Sequence, residues 1–353
     1  MMKIYSYTLK KIFFAGVFLL IRFTCISQDF HLSQYDANPL YLNPALTGLR
    51  ENDNWNYRLN TNYRQQWNVF TKRTFATSAI GLDLPISNKF SLGEFVTNNE
   101  SAGGLINTLN LMSSVAYNIT NKNSGGDIHN LSVGFQLGLL QKSLNPANLV
   151  FDSQYSPSDP NVFDQHLPNG ENFTQANIFN LDANFGVYYK YTGMEGRFAP
   201  FIGFSIYHLT TPNESFTGAI SKTPMRFVIH GGSSYSLGKN LSIHPQWLYM
   251  SQAKASELNL GILFFYKIKT TDFEPMIGFA MRNDDAVIFQ LGLKHKIGIF
   301  RISYDITTSY LKQYNNGGGG LEFSAIFTGR KKNTAQQKPS DNPPAKQPIK
   351  GEF

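Results

Sequence analysis

Apolar and polar residues alternate with a period of two along most of the chain between residues 55 and 329. Trp55, Tyr57, Leu59, Thr61 and Tyr63 alternate with Asn56, Arg58, Asn60, Asn62 and Arg64. Leu131, Val133, Phe135, Leu137 and Leu139 alternate with Ser132, Gly134, Gln136 and Gly138, and Phe300, Ile302, Tyr304 and Ile306 with Arg301, Ser303 and Asp305. Such a period belongs to strands whose two faces meet different surroundings. Thirteen runs of this kind begin near residues 55, 72, 105, 128, 177, 198, 225, 241, 257, 273, 286, 298 and 320.

A soluble sandwich also alternates, but its strands are usually five or six residues long, and these runs reach roughly ten to fifteen. Aromatic residues (14% of the chain) recur at run ends, as at Trp67, Tyr117, Tyr191, Tyr207, Tyr249 and Tyr310, where membrane barrels carry interfacial girdles. The second face is rich in Gly, Ser, Asn and single charges, which suits a lumen rather than a core. The pattern predicts an all-β fold: a transmembrane antiparallel β-barrel of about 14 strands, within a range of 12 to 14. A mean hydropathy of −0.25 is compatible, because a barrel hides its apolar face in the alternation.

Long connections are expected near 83–104, 143–176, 211–224 and 311–319, all at one end, with short turns at the other. Placing the long ones outside the cell puts the last strand on a downward course and the C-terminal tail in the periplasm. The same parity sends the strand at 55 downward. An even strand count then requires an ascending piece within 28–54, either an irregular first strand or a plug rising through the lumen.

That lead-in contains two Asn-Pro pairs, Asn38-Pro39 and Asn43-Pro44. Proline fixes its own φ and pushes its predecessor toward extended backbone, so neither helix nor interior strand suits both sites. The lead-in is read as structural. Its asparagine side chains are expected to bond backbone groups that lack strand partners, beside apolar anchors at Tyr35, Leu40, Tyr41 and Leu42.

The ends divide the chain further. Lys3, Lys10 and Lys11 precede an apolar run, Ile12 to Ile21, too short for a spanning helix and suited to a secretory signal peptide. Cleavage is placed after Ser27. An uncleaved anchor and a lipoprotein attached through Cys25 are weaker readings, given Arg22 and the poor lipobox Arg22-Phe23-Thr24. Cleavage removes the single cysteine and with it any disulfide. The organisation is therefore signal peptide 1–27, lead-in or plug 28–54, barrel 55–329 and disordered basic periplasmic tail 330–353, rich in Pro, Lys and Gln.

Charge follows the same division. The chain has 31 Lys and Arg against 24 Asp and Glu. Setting aside four basic residues in 1–27, and six basic and two acidic residues from Arg330 onward, leaves 21 against 22 in the middle. A pI of 9.2 implies nucleic acid only when the charge lies on the folded domain, and no nucleic-acid partner is expected.

No nucleophile–base constellation stands out. The seven histidines are scattered without HExxH, and G-x-S-x-G is absent. His230 with Ser234 could pair across a strand face, but polar lumen residues explain them better. Asp284-Asp285 fits a tight turn rather than a calcium site. Asn315 to Gly320 lacks the Lys-Ser/Thr of a phosphate loop. No enzyme activity, catalytic residue, cofactor or metal is expected.

SQYDANPLYLNPALTG (33–48) followed by YRQQW (63–67) resembles the opening signature of the PorP/SprF family, outer-membrane components of the type IX secretion and gliding system of Bacteroidetes. MRNDDAVIFQLGLK (281–294), ISYDITTSYL (302–311) and GGGGLEFSAIF (317–327) resemble its closing strands in order and spacing. The resemblance spans about 28–327. It marks Asn38, Pro39, Asn43, Pro44, Arg64, Trp67, Arg282, Asp285, Tyr304, Asp305 and Glu322 as structural motif residues. Where the family often has a histidine before the last-strand glutamate, this chain has Leu321.

The resemblance implies a non-enzymatic barrel in outer-membrane lipid, supporting export or surface anchoring of adhesin-like clients with C-terminal sorting domains. It also implies partnership with other type IX components, including a periplasmic peptidoglycan-binding protein. The alternative is a passive channel or hydrophobic-solute transporter, for which the lead-in would be a hatch.

Overall fold

The computed structural model describes residues 28–50, 55–67, 75–122, 126–145, 149–156, 163–164, 166–193 and 197–329. The expected signal peptide, residues 51–54 of the lead-in and the tail lie outside the described residues. Fourteen antiparallel strands form one closed barrel in which each pairs with its neighbours in sequence. They are β1 (Tyr57–Gln66), β2 (Phe75–Pro85), β3 (Phe90–Ser101), β4 (Ile106–Lys122), β5 (Ile128–Leu144), β6 (Asn177–Thr192), β7 (Phe198–Tyr207), β8 (Arg226–Leu237), β9 (Leu241–Gln252), β10 (Ala255–Tyr266), β11 (Glu274–Arg282), β12 (Ala286–His295), β13 (Gly298–Thr307) and β14 (Gly318–Gly329). β1 closes on β14 in unbroken register from Tyr57↔Gly329 to Gln66↔Gly320.

The alternation sorts the two faces. Along β5, Leu131, Val133, Phe135, Leu137 and Leu139 are exposed on the outside, while Ser132 and Gln136 are buried inside. Closure removes the free edges, so every strand's backbone can be satisfied within the barrel, the condition for crossing hydrocarbon with strands. The exposed outer band is then the lipid face.

The predicted number of strands stands, but one assignment does not. The missing strand is β3, within the expected loop 83–104, and it is absent from 28–54. The outward face of β3 includes Glu94, bonded by the Ser113 hydroxyl at 2.9 Å, and its inward face includes buried Phe95. Both break the usual apolar-out, polar-in order. With β3 counted, β1 ascends rather than descends, since it is antiparallel to the descending β14.

The lead-in is not a strand. It makes three short helical turns, Tyr35–Ala37, Pro39–Leu42 and Pro44–Leu46, inside the barrel. It also runs opposite to the expected direction. Asp29 meets Gln252 and His208, at the upper ends of β9 and β7, whereas Gly48 donates to Asp83 near the lower end of β2. The segment descends because β1 must begin at the periplasmic end.

The long connections 145–176, 208–225 and 308–317 do share one end, with turns such as 238–240 and 296–297 at the other. At that lower end an aromatic girdle includes the edge-on pairs Phe90–Tyr117, Phe198–Tyr235 and Phe300–Phe327. Tyr207 does not belong to a girdle; it points inward, its hydroxyl bonded to Tyr41 O at 2.7 Å.

Candidate functional site

The plug, residues 28–50, is held at three levels. The outermost is an ionic clasp. Asp29 lies 2.8 Å from His208 Nε2 and 3.1 Å from Arg226 Nη1, and His208 Nδ1 contacts Asp182 at 2.6 Å. Arg226 also lies over the rings of Tyr41 and Tyr207, at 4.8 and 4.2 Å, a cation–π arrangement strengthened by desolvation. Burial alone would lower the His208 pKa, but Asp29 and Asp182 more than offset it and raise it to about 10. Burial would likewise raise the Asp29 carboxyl, yet His208 and Arg226 hold it well below the usual carboxylate range.

One turn further in, four widely separated motif residues converge on Ser33. Arg64 Nη2 and Arg282 Nη2 each donate to Asp305 Oδ2 at 2.8 Å. Arg64 Nη1 lies 3.2 Å from Glu322 Oε2, its register partner across β1 and β14. The Ser33 hydroxyl donates to Asp305 at 2.7 Å and accepts from Arg64. The Ser33 N–H donates to Glu322 Oε2 at 2.7 Å and that of Gln34 to Oε1 at 3.2 Å. Asp285 joins through Arg282 Nε at 2.5 Å. All four motif side chains, Arg64, Arg282, Asp305 and Glu322, are buried. Buried charges persist only when paired and hydrogen-bonded, and the plug backbone supplies part of that pairing. Lower down, Asp36 meets Arg301 at 2.8 Å.

The Asn-Pro pairs act differently from one another. Asn43 Nδ2 donates to Val187 O at 3.0 Å and Phe204 O at 3.3 Å, and its Oδ1 accepts from Ala45 N–H at 2.9 Å. Only the Ala45 N–H is plug backbone without a strand partner, as expected; Val187 and Phe204 are paired with each other across β6 and β7, so Asn43 also ties the plug to carbonyls of the wall. The wall is shaped for it: a Cβ on Gly186 would sit 2.0 Å from Asn43 Oδ1, and one on Gly134 would sit 2.2 Å from the Pro44 carbonyl. The Asn38 side chain is buried but bonds to no described residue. Asn38 serves instead through its carbonyl, which accepts from Leu42 N–H at 3.0 Å while Pro39 opens the short helix.

Apolar anchors fill the remaining space. Leu32, Leu40 and Tyr41 pack on Phe95 and Met112, and Tyr35 and Leu42 on Tyr207, Val228 and Leu248. At the bottom, Arg58 bridges Asp83 at 2.6 Å and donates to Leu46 O at 2.8 Å.

Two motif residues lie away from the plug. Tyr304 is exposed on the lipid face. Trp67 ends β1 with φ 57° and packs edge-on against Phe75 at 5.0 Å. The supposed His230–Ser234 pair is not a dyad. Four residues along a strand span about 13 Å, and His230 Nε2 is 3.2 Å from Asn43 Nδ2. Asp284 takes φ 55° in the turn between β11 and β12. Asp29, Ser33, Asp36, His208, Arg226 and Arg301 were not singled out from sequence. Inward strand positions occupied by charge would have flagged Arg226 and Arg301.

A family model, "Type IX secretion system membrane protein PorP/SprF", matches residues 24–326. The chain belongs to this family. As a PorP/SprF member with a closed 14-strand barrel, it is a type IX secretion system component of the outer membrane. No match was found among curated proteins. Solved structures similar to this PorP/SprF barrel include a Pseudomonas aeruginosa FadL homologue, at 11% identity, TM-score 0.44, and 82% and 94% of the two chains. The TodX monoaromatic hydrocarbon channel ΔS2 mutant matches at 11%, 0.45, and 81% and 92%, and the CymD monoaromatic hydrocarbon channel at 12%, 0.44, and 87% and 95%.

Proposed function

We propose that this PorP/SprF barrel is a closed, non-enzymatic docking platform of type IX secretion. In this reading it supports export or surface anchoring of adhesin-like clients bearing C-terminal sorting domains. It works with a periplasmic peptidoglycan-binding component of the same machine. The observation that carries the reading is the plug, tied to the wall at its outer, middle and periplasmic levels, which leaves the outer loops and periplasmic turns as working surfaces. Deleting the gene is expected to abolish surface display of a client adhesin, scored by antibody labelling of intact cells, while other outer-membrane proteins stay at normal levels. Normal display in the deletion strain would overturn the proposal.

One feature favours the alternative, a solute channel: a cavity of about 670 Å³ beside the plug, lined by Phe30, Tyr41, Phe95, Thr97, Asn110 and Lys142 among others, with the clasp residues Asp29, Asp182, His208 and Arg226 in its wall. In this reading, solute passage requires displacement of the plug.

A further inference from the structure

We propose that one sector of the periplasmic rim, formed by the turns β8–β9, β10–β11 and β12–β13, binds anionic phospholipid headgroups of the inner leaflet. The three turns form one surface. The Lys267 N–H donates to Asn240 O at 2.7 Å, fixing the first turn beside the second. Lys296 Nζ lies 2.6 Å from Asp272, and the Phe273 ring stacks on His295 at 4.8 Å, fixing the second beside the third.

The sector holds Lys239, Lys267, Lys269, Lys294 and Lys296 against Asp272 and Glu274. Lys294 and Lys296 face those two acids. Lys239, Lys267 and Lys269 are exposed and have no acidic partner among the described residues. By contrast, the turn between β2 and β3 carries a single lysine, Lys89. In sequence, Arg330, Lys331 and Lys332 follow directly on β14.

The occupant follows from what stands beside the charge. Tyr266, Ile268, Phe273 and Ile297 are exposed at the same rim, the end of the barrel that carries the aromatic pair Phe198–Tyr235. Lys267 and Lys269 each stand one residue beyond an exposed apolar side chain, Tyr266 and Ile268, an arrangement suited to a bilayer boundary, where the stems stay in hydrocarbon and the heads reach phosphate. An acidic protein arriving from the periplasm would have no use for Tyr266 and Ile268.

The purified full-length barrel, extracted from vesicles of equimolar phosphatidylethanolamine and phosphatidylglycerol, is examined by native mass spectrometry for retained lipid. Each unpaired lysine contributes about a fivefold preference for the anionic lipid, so the triple variant K239Q/K267Q/K269Q is expected to lose about a hundredfold. K267Q/K269Q is expected to fall between, and the control K89Q/K254Q to match the wild type. Heat-modifiability on gels confirms that each variant is folded. Added inorganic phosphate at millimolar concentration is expected to leave retention unchanged. Equal retention of both lipids by the wild type, equal loss in the control variant, or displacement by phosphate would overturn the proposal.

Discussion

At the scale of residues, the defining feature is a set of charges that are stable only together. Arg64, Arg282, Asp305 and Glu322 come from β1, β11, β13 and β14, and Ser33 of the plug is hydrogen-bonded into their centre. Removing one partner from a buried ion pair strands the other and typically costs about 3–5 kcal/mol. Arg64→Met is therefore expected to lower unfolding stability by that order, measured by urea titration of the detergent-solubilised barrel. Arg64→Met with Glu322→Met should cost less than the two single changes added together. The outer clasp predicts a pH dependence with a definite sign. His208 has its pKa raised from 6.5 to about 10, so its contribution is fully present below pH 6.5 and is lost as pH rises toward 10. Asp29 has its pKa lowered from 3.8, so its contribution is present above that value and is lost on acidification. Hydrogen exchange at residues 28–33 should accelerate between pH 6.5 and 10 beyond the intrinsic rate, and His208→Gln should remove that excess. Sequence motifs pointed to Arg64 and Glu322 individually. Their meeting with Ser33 was not legible, because it spans separations of 258 and 289 residues that no local pattern encodes.

At the scale of elements, the period-two pattern located thirteen strands and missed the one whose faces are partly inverted. Glu94 on the outside of β3 and Phe95 on the inside weaken the signal, because β3 packs its inner aromatic against plug residues Leu32, Leu40 and Tyr41 rather than facing open lumen. That single omission reversed the direction assigned to β1 and to the lead-in. The irregularity of the lead-in was legible from its prolines, and its fit is explained by Gly134 and Gly186 in the wall facing Pro44 and Asn43. Asn43→Ala with Pro44→Ala removes the side-chain hydrogen bonds of Asn43 to Val187, Phe204, His230 and Ala45, together with the fixed φ. The double variant is expected to lower the yield of folded barrel or to unblock it, as read by heat-modifiability and conductance, without changing which client is recognised. A variant that folds fully, stays closed and loses client binding would make the motif a recognition site.

At the scale of the whole molecule, the barrel is a frame around its own N-terminal segment. Outward-facing apolar residues meet lipid, inward-facing charges meet the plug, and the two sets of connections differ in length and chemistry. The plug runs through the lumen from Asp29 near the upper rim to Gly48 near the lower one, and the role in secretion proposed above is accordingly one for the barrel's surfaces. Planar-bilayer recording of the purified full-length protein decides whether this plug closes the barrel. A plugged wild-type barrel is expected to leave the membrane silent, with conductance emerging only when the plug is destabilised; a steady open-pore conductance from the unaltered barrel would show the lumen to be open.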